Sequence, residues 1–189
     1  MRRLIPGVVL LVWTLGLGNS AAGTGQEIPL EDKEQILHRQ IDIYRDYLPA
    51  QSDNADLHYN LGTKFYELSQ VLKERSGGFF RTAEKEEFAR QSEEFLEKAI
   101  DHLTQAVQLD PSLGRAYFNL GVSYFVLGSG EKAILNMRKA EARYMQKNDP
   151  RGVAKARKAL RDWFDTFGYR PEDFTLPPAQ AHVSDDLFY

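Results

Sequence analysis

Residues 116–124 read Ala116-Tyr117-Phe118-Asn119-Leu120-Gly121-Val122-Ser123-Tyr124. Tyr117, Leu120, Gly121 and Tyr124 recur at the spacing of one helical face, with a glycine in the middle of it. Phe118, Val122 and Phe125 follow i, i+4, i+7 on a second face. A helix apolar on two sides has to be covered on two sides. The same pattern stands upstream as His58, Leu61-Gly62 and Phe65, with histidine in the first aromatic's place. Downstream, Ala133-x3-Met137-x2-Ala140 repeats Ala99-x3-Leu103-x2-Ala106 at a displacement of 34 residues for every member. Glycine and alanine at these positions let paired helices approach closely, and the large residues fill the spaces between them.

An aromatic, Leu-Gly, a second aromatic, spaced alanines and a closing proline such as that in Leu109-Asp110-Pro111 resemble the tetratricopeptide repeat. The resemblance runs from Ala55 to Ala140 and implies an all-α fold of stacked helical hairpins. It has informative departures. Leu61 and Leu120 lie 59 residues apart, 25 more than one repeat, and Gly62 to Ala99 exceeds Gly121 to Ala133 by the same 25. The first repeat, about 55–111, is therefore expected to carry an insertion at about 69–93 that prolongs its two helices into a hairpin. Gly77-Gly78 would form its tip, beside Phe79 and Phe80. The second repeat spans about 114–147 and lacks the closing proline, Met145 standing in its place.

Punctuation extends this reading to the whole chain. Leucine and alanine number 39 residues against 16 for valine and isoleucine, which favours helix over strand. Between prolines 29, 49, 111, 150 and 171 the segments carry helical periodicity. Six helices are expected: Glu31 to Leu48; a second running towards Arg75, with Ser52, Asp53 and Asn54 all offering an N-cap; Thr82 to Asp110; Leu113 to Leu127; Glu131 to about Lys147; and Pro150 to Gly168. The first and sixth act as caps, the C-terminal one covering 150–168. Tyr169 to Tyr189, with three prolines and no helical period, reads as an extended tail.

The resemblance also implies a binding face, since repeats of this kind receive extended peptides or helices of other proteins in a concave groove. The matching positions are Tyr59, Asn60, Thr63 and Tyr66 in the first repeat and Phe118, Asn119, Val122 and Phe125 in the second. Asn60 and Asn119 match asparagines that bond a ligand backbone. The carboxylate clamp of chaperone-binding relatives requires lysine or arginine where Tyr59 and Phe118 stand. An equally open reading makes the aromatics interior packing. Arg138 to Arg161 holds nine basic and two acidic residues, and Arg151, Lys155 and Lys158 share one side of the sixth helix. That stripe suits either a solvated cap or an anionic membrane surface.

At the amino terminus, Arg2-Arg3, an apolar run from Leu4 to Gly18 and the small residues Ser20-Ala21-Ala22 describe a secretory signal peptide over 1–22. Its 15-residue run is shorter than a membrane span requires. Export, to a bacterial periplasm, is the expected destination, and with no cysteine the chain offers no site for a bacterial lipid anchor. Removal of the segment leaves 22 basic against 27 acidic residues, a mildly acidic chain with no general attraction to nucleic acid. The lack of cysteine also excludes disulfides, thiolate nucleophiles and iron–sulfur clusters. The four histidines, His38, His58, His102 and His182, lack metal-ligand spacing, and no phosphate loop or nucleophile elbow is present. No cofactor, metal or small-molecule substrate is expected. The sequence describes a non-enzymatic interaction module whose partner is another protein. A membrane-associated structural component, or a non-catalytic subunit of an envelope enzyme, is the alternative.

Overall fold

The computed structural model describes residues 27–77 and 82–174. Six α-helices follow one another: α1 Leu30–Tyr47, α2 Ala55–Arg75, α3 Ala83–Leu109, α4 Gly114–Val126, α5 Gly130–Gln146 and α6 Pro150–Phe167. Short 3-10 turns at Leu48–Ala50 and Pro171–Phe174 are the other regular elements, and the described residues include no strand. Each helix packs on its chain neighbours, so the chain builds a one-dimensional stack of hairpins, α2 with α3 and α4 with α5, between α1 and α6.

Capping residues set the helix starts. The Asn54 carboxamide oxygen accepts the Leu57 N–H at 3.1 Å, Thr82 Oγ1 accepts that of Lys85 at 3.2 Å, and Asp149 Oδ1 accepts that of Gly152 at 2.9 Å. At the far ends, Gly168 closes α6 with φ 67° and Gly128 stands at φ 76°, both in the left-handed region that glycine adopts without a Cβ clash.

The repeated glycines are seats for the partner helix. A Cβ on Gly62 would lie 2.6 Å from Leu103 Cγ and 3.0 Å from the Ala99 carbonyl oxygen. One on Gly121 would lie 3.1 Å from the Ala133 carbonyl oxygen. The alanines face back with no side chain beyond Cβ: Ala99, Ala106, Ala133 and Ala140 are fully buried. The spacing seen in the sequence is thus the contact register of each hairpin.

Helices α2 and α3, of 21 and 27 residues, exceed α4 and α5, of 13 and 17, as an insertion between them requires. The prolongation does not stand clear of the stack. Leu68, Val71 and Leu72 form one buried cluster with Leu37 and Ile41 of α1, and Phe88 packs against it. Arg75 pairs with Glu34 and, at 3.7 Å, with Glu31, while Phe88 lies 4.1 Å beneath its guanidinium. Ser92 Oγ donates to the Ser69 carbonyl at 2.7 Å, joining the two arms inside the core. The insertion therefore forms part of the seat on which α1 lies. Of its expected tip, Gly78 falls outside the described residues together with Phe79 and Phe80, as do the signal segment 1–22 and residues 175–189.

The start of the tail departs from expectation. Tyr169 to Phe174 is not extended throughout, because Pro171–Phe174 winds into a 3-10 turn and Phe174 is buried. Arg138 donates to the Pro171 carbonyl at 2.9 Å, and the Phe174 ring meets those of Phe164 and Tyr169 at 5.9 and 5.1 Å. Proline content signalled loss of α-helix, but burial of one aromatic is enough to fold the chain back.

Candidate interaction surface

Helices α2 and α4 bring the eight expected groove residues to adjoining faces, and each of them is half-buried. They do not form one open surface. Phe118, Val122 and Phe125 pack against the cluster that holds Ala156, Leu160, Trp163 and Phe164 of α6. Phe125 stacks on Trp163 with centroids 4.8 Å apart, and Phe167 meets it edge-on at 5.6 Å. The apolar stripe of α4 is mainly a joint between repeats.

The two asparagines diverge. Asn119 Nδ2 donates to Thr63 Oγ1 at 3.0 Å, and that hydroxyl donates in turn to the Tyr59 carbonyl at 2.9 Å. Two expected ligand contacts thereby satisfy each other across the α2–α4 boundary. Asn60 has no hydrogen-bond partner among the described residues. It lines a shallow, open depression with Tyr44, Tyr47, Gln51, Asn54, Asp56 and Leu57, where the end of α1 meets the start of α2.

Tyrosines shape the rest of the face. The Arg115 guanidinium lies 4.4 Å over the Tyr59 ring and pairs with Asp56. Phe118 lies 6.4 Å from Tyr144, whose ring fits against Gly114 and Gly152 at the starts of α4 and α6. Burial pushes the Tyr144 hydroxyl up to about 12, with Tyr59 and Asp149 adding to the effect. Tyr66 is likewise pushed up to about 12 by burial, so it contributes packing rather than an ionisable edge.

Arg151, Lys155 and Lys158 are exposed on α6, as their helical phase requires. Lys158 pairs with Asp162 at 2.8 Å. Arg151 and Lys155 have no ionic partner among the described residues, whereas the neighbouring Arg157 pairs with Glu141 at 2.6 Å. No described helix is long and apolar enough to cross a membrane, and no group of three or more His, Asp or Glu among the described residues converges as metal ligands do. His58 and His102, 44 positions apart in the sequence, lie against each other, a contact that the sequence spacing does not show.

Residues 93–128, from the second half of α3 to the end of α4, match the family described as TPR repeat. Solved structures match too, among them one described as "Crystal structure of MamA", which is 20% identical. That match covers 76% of this chain and 99% of the other, with a TM-score of 0.26. No curated protein matches the chain. The matched repeat and the stacked hairpins together describe a helical-repeat fold.

Proposed function

We propose that this chain is a non-enzymatic adaptor of the cell envelope that binds a peptide or helix of a partner protein at the α1–α2 end of its concave face. The carrying observation is Asn60. Asn60 is half-buried, and its carboxamide lacks a partner among the described residues and borders a shallow depression lined by tyrosines and amides. An amide in that position offers one donor and one acceptor side to an extended peptide, while Tyr44 and Tyr47 supply apolar area. The α4 half of the face contributes rigidity, because α6 covers it.

Site-specific photo-crosslinking in envelope extract tests the proposal. An aromatic crosslinker in place of exposed Tyr47 should trap a partner that Asn60→Ala releases, and one at exposed Gln108 on α3 should trap none. Equal trapping at both positions would refute the groove. Export is supported by residues 1–22 alone, and sequencing the exported protein should place its amino terminus at Gly23.

A membrane-surface role draws support from the unpaired Arg151 and Lys155. It requires binding to anionic vesicles that salt reverses and that Arg151→Glu with Lys155→Glu abolishes.

A further inference from the structure

His58 is 3% exposed in the first turn of α2, and its two ring nitrogens are both engaged. Nε2 lies 3.0 Å from the Ser52 carbonyl oxygen, in the loop leading into α2. A carbonyl only accepts, so Nε2 carries the hydrogen and Nδ1 of neutral His58 is an acceptor. Facing it at 3.1 Å is Nδ1 of His102 on α3, which must therefore donate. The rings lie 5.3 Å apart, and Phe65 stacks on His102 at 5.5 Å. Tautomers are thus fixed along a chain from α3 through α2 to the loop.

This arrangement limits proton uptake. One added proton can sit on the far nitrogen of His102 and leave the contact intact. A second, on His58 Nδ1, would set two N–H groups against each other between two cationic rings. The surroundings give mixed help: burial, His58 and Arg45 of α1 hold the His102 imidazole below the usual histidine range, while Asp101 of α3 opposes them. We infer that the His58–His102 pair is an acid-sensitive latch that joins α2, α3 and the loop at Ser52. It holds at most one added proton while the helices stay packed, and uptake of a second opens the junction.

The direction follows from linkage. Well above about pH 6.5 the imidazoles of the unfolded chain are neutral, and so is His102 in the folded chain, where it is held below the usual histidine range, so the latch contributes its full stability. As pH falls through that value the unfolded chain protonates His102 before the folded chain does, so stability declines with acid. The junction that loosens is the one bearing the depression beside Asn60.

Urea unfolding of the full chain between about pH 8 and about pH 5 tests the latch, with His58→Phe/His102→Leu as the comparison. His38 and His182 remain in both proteins, so the difference isolates the pair. The unfolding equilibrium constant of the wild type should rise severalfold more across this interval than that of the double variant. Equal pH dependence in both would overturn the inference. Should the variant fail to fold, nitrogen-15 spectra of the wild-type imidazoles decide. Hydrogens on His58 Nε2 and His102 Nδ1 near neutrality, with loss of Leu57 and His58 amide protection on acidification, support the latch. The opposite tautomers, or two charged imidazoles with those amides still protected, refute it.

Discussion

Phe125 of α4 lies almost parallel to Trp163 of α6, 13° between planes and 4.8 Å between centroids. The stack packs one ring face of each residue between α4 and α6. Phe125→Ala should cost about 2–4 kcal/mol in urea unfolding, and a double-mutant cycle with Trp163→Ala should show coupling near ~1 kcal/mol. Loss of partner capture by Phe125→Ala with unchanged stability would return this residue to the binding face.

Ser123 is fully enclosed in α4, and its hydroxyl finds no partner among the described residues. An unsatisfied buried hydroxyl costs about 1–3 kcal/mol. Ser123→Ala should therefore raise the unfolding midpoint, by roughly 1 kcal/mol of stability once the small void is deducted. A destabilised alanine variant would mean the hydroxyl has a partner, such as an ordered water.

The two hairpin glycines should respond unequally to alanine. At Gly62 the new methyl meets Leu103 Cγ at 2.6 Å, within the fully buried body of that side chain. At Gly121 its nearest side-chain atom is the mobile end of Met137, at 3.2 Å. Gly62→Ala should cost about 1–3 kcal/mol, and Gly121→Ala distinctly less, by thermal or urea unfolding. An inverted order would show that α2 and α3 separate more readily than α4 and α5.

Removing residues 69–93 in register should leave α4, α5 and α6 folded but strip α1 of its seat. Leu72, fully buried with Leu37 and Ile41, and Arg75, which holds Glu34, go with the deletion. Amide exchange should then be fast along α1 and slow along α5. Leu72→Ala alone should cost about 2–5 kcal/mol. Protection of α1 in the deleted protein would show that it docks elsewhere.

These particulars mark where sequence reasoning succeeds. Gly62, Gly121 and the alanines at 34-residue spacing encode helix contacts through size alone, so the hairpins were legible without neighbours. The face of α4 was not. Phe118, Val122 and Phe125 have the same period whether the covering surface is another helix or a visiting peptide, and only α6 in place decides between them. Asn119 matched a ligand-binding asparagine, yet Thr63, 56 residues earlier, takes its hydrogen bond. Polar partners brought together across repeats leave no periodic trace. The fold-back of Phe174 was equally hidden, since a lone aromatic among prolines carries no helical phase.

Phe174 has one more consequence. An open stack of hairpins presents an unfinished face at its last helix, and such faces recruit whatever matches them. Here Phe174 sits beside Phe164, and Arg138 holds the Pro171 carbonyl. A hairpin appended after Gly168 would have to evict that aromatic before it could dock. The array carries its own full stop.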